Sequence, residues 1–119
     1  RAGVARVFYN RLDNNWPLGS DVTTYYGIKV DMNERDLYKK EIEEKNAYNT
    51  RSSSMSGKLP VGPVGNPGIE SIKAVIEPED NDYFYFVADK TGKTYFTKSY
   101  KEHTNTVASL KEKGLWYTY

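Results

Sequence analysis

The chain has 119 residues, the size of one domain with a modest core, and hydrophobic residues make up 38% of it. Its 17 basic and 16 acidic side chains leave a formal charge of +1, so no long-range field draws in a polyanion and nucleic acid is not an expected partner. Cysteine is absent, which excludes disulfides, zinc–thiolate sites and a cysteine nucleophile, and no apolar run approaches the ~18 residues of a membrane span.

In chain order, "RAGVARVFYNRL" places Val4, Phe8 and Leu12 at four-residue steps, with Ala5 and Val7 alongside. That spacing predicts an amphipathic helix closed by the polar turn "DNN" at 13–15. In "WPLGSDVTTYYGIKV", Pro17 and Gly19 break the chain and Ser20 or Asp21 can cap a short helix bearing Thr23, Thr24, Tyr25 and Tyr26. Asn33 can cap a third helix, "ERDLYKKEIEEKNAY", whose charges sit at pairing distances and read as a solvated face. "NTRSSSMSGK" then reads as a flexible link.

The segment "LPVGPVGNPG" at 59–68 holds three prolines and three glycines. Fixed φ angles and bare backbone suit a rigid groove wall, and they equally suit an ordinary surface connection. Asn66 and Pro67 read as the cap and first residue of a helix whose Ile69, Ile72, Val75 and Ile76 face inward until Glu77-Pro78. "YFYFVAD" and "KTYFTKS" alternate with aromatic and β-branched bias around "KTG", which predicts a hairpin. Ser99 with Glu102 three residues on matches a capping box for a last helix ending near Gly114. The expected class is α+β: several helices packed on a small antiparallel sheet with a β-hairpin, in a single domain over 1–119. Aromatics reach 14%, and 11 of them are tyrosine, so much apolar surface carries a hydroxyl, as in a wet groove. His103 is the only histidine, and no metal is expected.

"VFYNRL", "LGSD", "YNT", "LPVGPVGNPG", "YFYFVAD" and "FTKSYKEH" follow one another in the order and rough spacing of the MltG (YceG-like) endolytic murein transglycosylases, which the chain resembles over nearly its whole length apart from 33–46. Val61 stands where that family usually has the second proline of L-P-P-G. The resemblance implies a cell-envelope enzyme that cuts peptidoglycan strands internally and leaves 1,6-anhydro-N-acetylmuramic acid ends. One carboxyl group serves first as acid and then as base.

The family's glutamate lies in a motif like S-I-I-E-x-E just ahead of the F-Y-N-R-L helix, and none of Glu34, Glu41, Glu43, Glu44, Glu70 or Glu102 matches it. The chain is therefore expected to be the C-terminal part of a catalytic domain, inactive alone and soluble. Its parent is expected to be membrane-anchored on the extracytoplasmic face near cell-wall synthases. No cofactor is expected, and the older label of aminodeoxychorismate lyase, which would need a pyridoxal phosphate lysine, is discounted.

By the same resemblance, Asn10, Ser20, Asp21, Tyr26, Tyr48, Asn49, Thr50 and Asn66 are candidate contacts to the glycan through hydrogen bonds and stacking. Each has a structural alternative: Asn10 as a backbone tie, Asp21 and Asn66 as caps, the tyrosines as core. Lys58 can approach peptide carboxylates of the substrate, and Arg11 can pair with the upstream carboxylate or an acid within the fold. A different class of function, a non-catalytic glycan-binding or protein-interaction module, fits the same residues without the glutamate.

Overall fold

A computed structural model describes residues 1–32 and 34–116. Along these residues run α1 (Ala2–Asp13), α2 (Asp21–Ile28), α3 (Lys39–Glu43), a 3₁₀ turn (Ser53–Met55), α4 (Ile69–Ile76), β1 (Tyr85–Ala88), β2 (Thr94–Thr97) and α5 (Tyr100–Glu112). The class is α+β, with helices and a two-stranded antiparallel sheet, as the sequence implies. The chain divides into two compact units: residues 1–10 together with everything from Ile69 onward, and Arg11–Gly68.

In the first unit the apolar stripe of α1 packs one position away from the expected Val4/Phe8 line. Gly3 and Val7 are its buried residues, while Val4 and Phe8 are half-buried. Gly3 is small for a reason, since a Cβ there would meet Phe96 Cζ at 2.9 Å. Phe8 meets Phe86 edge to face with ring centroids 5.6 Å apart, and Arg6 Nε donates to the Glu79 carbonyl at 2.6 Å. These contacts tie α1 to the chain entering the hairpin.

The hairpin forms where the alternation places it, with Tyr85 opposite Thr97 and Phe86 opposite Phe96. Its turn is organised by the buried Asp89, which accepts from Thr91 Oγ1 (2.5 Å), Thr91 N (2.8 Å), Lys93 N (3.1 Å) and Tyr95 Oη (2.9 Å). The Thr91 hydroxyl above all, then the Tyr95 hydroxyl and the two amides, hold this carboxyl below its usual range against the opposing cost of burial. Ser99 caps α5 as expected, its Oγ accepting from Glu102 N at 3.1 Å, and Gly114 leaves the helix at φ 70°. α5 packs across both strands and buries Leu110.

α4 departs from the expectation of an inward apolar face. Ile69 (66%), Ile72 (43%), Val75 (53%) and Ile76 (72%) are exposed, and Ala74 is the buried residue. α1 and the residue before it hold this helix through polar bonds: Arg1 Nη1 donates to Ser71 Oγ at 3.3 Å and Tyr9 Oη to the Val75 carbonyl at 2.9 Å. The small-residue side therefore faces α1. Asn66 and Pro67 do not open the helix, which begins at Ile69.

In the second unit the turn after α1 is closed by Trp16 N to the Arg11 carbonyl at 2.8 Å. The Arg11 guanidinium donates to the Leu18 carbonyl. α3 is five residues long, against an expectation of 34–48. Its charges leave no apolar stripe to extend it, and its boundaries come from side chains. The cap assigned to Asn33 lies outside the described residues.

At the start of α3, Glu41 Oε1 accepts from Tyr38 N at 2.9 Å, and Arg35 grips the same carboxylate with a fork of 2.7 and 3.0 Å. The guanidinium lies over the Tyr38 ring at 4.1 Å. Arg35 chiefly, and then the Tyr38 amide, hold the Glu41 carboxyl down at about 2. A carboxyl lowered in the folded state contributes stability that is complete above its ordinary value of 4.5 and is lost as pH falls toward about 2. Urea titrations should show stability falling across that window, with the slope reduced in Arg35→Gln; an unchanged slope would remove this pair from the acid response.

The serine run, expected to be a flexible link, is folded into the 3₁₀ turn. Ser52 is buried and its Oγ accepts from Ser54 N at 3.4 Å. The proline-glycine segment has no regular structure, and Val61 N donates to the Ala47 carbonyl at 3.2 Å.

Candidate functional site

The residues singled out in the sequence converge around the first turn of α2. Thr50 is fully buried (0%) and Asn49 nearly so (2%), both held by hydrogen bonds rather than apolar packing. Thr50 Oγ1 accepts from Ser20 N at 2.9 Å, and the hydroxyls of Thr50 and Thr23, 2.9 Å apart, share the Ser20 carbonyl. Gly19 N adds a bond to the Thr50 carbonyl at 3.0 Å. Ser20 is the N-cap of α2 by position, yet its side chain makes no capping bond. Fixed on its backbone at both N–H and C=O, it presents a hydroxyl that the network does not use.

Asn49 works from behind this turn. Its Nδ2 lies within hydrogen-bond reach of the carbonyls of Glu44 (2.6 Å), Ile42 (2.9 Å) and Glu41 (3.2 Å). Its Oδ1 accepts from Thr24 Oγ1 at 3.0 Å and Arg51 N at 3.1 Å. The amide thereby ends α3 and fixes the 49–51 segment against α2. Asp21, the first residue of α2, pairs with Arg51 through Nε.

One face of α2 continues toward Tyr26, three residues beyond Thr23. Tyr26 is 49% exposed and its ring stands 4.8 Å from that of Tyr48, tilted by 59°. The two elements approach closely at Gly27, where a Cβ would meet Asn46 Oδ1 at 2.7 Å and Tyr48 Cβ at 2.9 Å. The proline-glycine segment reaches the same wall: a Cβ on Gly62 would lie 3.3 Å from Tyr48 Oη. Next to it opens a cleft of about 720 Å³ whose lining includes Gly27, Lys40, Glu43, Glu44 and Asn46.

Ser20, Asp21, Asn49 and Thr50 are thus brought together, and Tyr26 and Tyr48 pair on the same unit. Asn10 belongs to the first unit, where its Nδ2 reaches the carbonyls of Tyr83 at 2.9 Å and Asn81 at 3.0 Å, the structural alternative read for it. Asn66 is exposed and caps no helix. Thr23, Thr24 and Arg51 complete the cluster without having been singled out. The three-residue step from Ser20 to Thr23 is a signal for the first, and nothing in the serine-rich run marks Arg51. Among the described residues no group of three His, Asp or Glu side chains is placed to hold a metal ion, and no helix is long and apolar enough to cross a membrane.

The model of the YceG-like family matches residues 1–109. The chain is 38% identical over 117 residues to a protein of Bacillus subtilis named endolytic murein transglycosylase, covering 95% of this chain and 31% of that one. A Streptococcus pneumoniae protein of the same name is 33% identical over 111 residues, covering 88% of this chain and 19% of that one. A crystal structure of a YceG-like protein from Listeria monocytogenes superposes with a TM-score of 0.78 at 38% identity, over 88% of this chain and 33% of that one. The chain therefore spans about a third or less of the length of these relatives.

Proposed function

Because the chain belongs to the YceG-like family, we propose that it supplies the glycan-holding part of an endolytic murein transglycosylase that cleaves the MurNAc-GlcNAc bond within peptidoglycan strands. The observation that carries this reading is Ser20, whose backbone N–H and C=O are held by Thr50 and Thr23 so that its hydroxyl is left over at the N-cap of the helix that also bears the exposed Tyr26. Hydroxyls bind the amide and hydroxyl groups of N-acetyl sugars, and flat rings cover their apolar faces. Asn49 and Thr50, being buried, serve as positioning residues in this scheme.

The acid that protonates the glycosidic oxygen is assigned to a glutamate ahead of position 1 in the parent. Its conjugate base then takes the proton from the sugar's own 6-hydroxyl as that oxygen attacks C1, which closes the 1,6-anhydro ring without water. A hydrolase would need a second carboxylate to activate water. In this reading the parent works outside the cytoplasmic membrane, close to the synthases that make its substrate.

The test is mass spectrometry of purified peptidoglycan after digestion. The parent protein is expected to yield anhydro-ended muropeptides, and the 119-residue chain none. Ser20→Ala in the parent is expected to lower kcat/KM about tenfold, the loss of one hydrogen bond to the substrate. Anhydro products from the chain alone, or an unaltered Ser20→Ala enzyme, would overturn the assignment.

A further inference from the structure

We infer that Arg51 is a specificity residue that reads a carboxylate carried by the glycan substrate. The inference rests on the glycan reading and names which chemical feature of the strand is recognised. Arg51 is fixed from two directions. Its neighbours Thr50 and Ser52 are both buried, and its own N–H donates to the buried Asn49 Oδ1 at 3.1 Å. Beyond the backbone, Asp21 holds the guanidinium at Nε, and the side chain remains 41% exposed.

A guanidinium carries five N–H donors, and the Asp21 contact uses the one at Nε. The terminal nitrogens keep the two parallel donors that match a carboxylate. Arginine normally loses rotamer freedom when it binds, and here the Asp21 contact has already removed much of it. Asp21 also neutralises the isolated charge, so the remaining attraction is short-ranged and directional, which favours a ligand brought close by other contacts. Those contacts are the Ser20 and Thr23 hydroxyls, since Asp21 directly follows Ser20 in the first turn of α2.

Peptidoglycan offers carboxylates from two sources: the stem peptide, and the lactyl group of muramic acid once the peptide has been removed. A GlcNAc-only oligomer has the same sugar backbone with neither. This difference separates the carboxylate reading from general sugar binding.

The experiment measures affinity of the intact chain, by NMR titration, for three ligands: peptide-bearing muropeptide oligomers, the same oligomers stripped of peptide, and a GlcNAc oligomer. Wild type is expected to bind the carboxylate-bearing ligands more tightly. Arg51→Ala should lose about five- to tenfold toward them and leave the GlcNAc oligomer unchanged. Arg51→Lys, which keeps charge without the fork, should recover part of that loss.

Whether the effect is confined to the peptide-bearing oligomer or extends to the stripped one identifies the source of the carboxylate. Equal weakening of all three ligands, no weakening of any, or transfer of the effect to Lys58→Ala would overturn the inference and leave the glycan reading standing. Failure of wild type to bind all three would overturn both. Arg51 lies at the surface, so the variant is expected to keep the wild-type amide spectrum away from residues 20–24 and 49–52.

Discussion

Asn49→Leu is expected to be among the most damaging single substitutions in the chain, costing about 3–5 kcal/mol. Leucine has the same branched skeleton with bulkier methyl groups and suits a buried position, so area alone predicts no loss. What it removes is the group that serves the carbonyls of Glu41, Ile42 and Glu44 and accepts from Thr24 and Arg51. Those partners are left in a site from which water is excluded, and the penalty for orphaned groups exceeds the apolar gain.

A small domain has only about 5–15 kcal/mol in total, so much of the second unit's order should be lost. Trp16 lies within that unit, and its fluorescence during urea unfolding in a Trp116→Phe background reads the effect directly. A loss below about 1 kcal/mol would mean the carbonyls find other partners, and Asn49 would be released from its structural role.

Gly57→Ala is expected to cost about 2–4 kcal/mol, for two reasons that add. Gly57 has φ 70°, a conformation that places an L side chain against its own carbonyl, and the new Cβ would lie 3.2 Å from Asn15 Cα and still closer to Asn15 Oδ1. The side-chain atom can rotate away. The backbone atom cannot do so freely, because Asn15 itself sits at φ 61° and Gly57 N is bonded to the Trp16 carbonyl at 2.8 Å. Gly65→Ala is the control: nothing lies within 4 Å of its Cβ position, and stability should be unchanged or gain a few tenths of a kcal/mol from the stiffer unfolded chain. Equal effects at the two glycines would show that the Asn15 contact is not what decides the cost.

The parts of the fold that could be read from sequence are those fixed by neighbours in sequence. α1, the hairpin and the Ser99 cap each rest on a period or a three-residue reach, and each forms where the pattern places it. The helix expected over 34–48 shrank to five residues because its limits come from elsewhere: Arg35 holds Glu41 at one end, and Asn49 draws off the carbonyls at the other. α4 shows a different gap. Periodicity identifies which side of a helix is apolar, and Ile69, Ile72 and Ile76 do share a side, but no pattern within the helix says what lies over it.

The candidate site was legible in the same uneven way. Of the residues expected to contact the glycan, Ser20, Tyr26 and Tyr48 are accessible or partly so. Asn49 and Thr50 are buried and hydrogen-bonded beneath the Ser20 turn, a distinction that is invisible in a string of polar letters. The Arg51 side chain enters through its contact with Asp21, which lies 30 residues earlier.

The partition of the chain bears on how it is made. Residues 1–10 share a unit with the stretch that starts at Ile69, and Asn10 bonds to groups 71 and 73 positions downstream. At about 5–20 residues per second, the ribosome takes on the order of several seconds to deliver those groups. Through that interval Phe8 and Asn10 lack Phe86, Asn81 and Tyr83, the groups they meet in the folded chain, while the second unit, 11–68, is a single continuous segment.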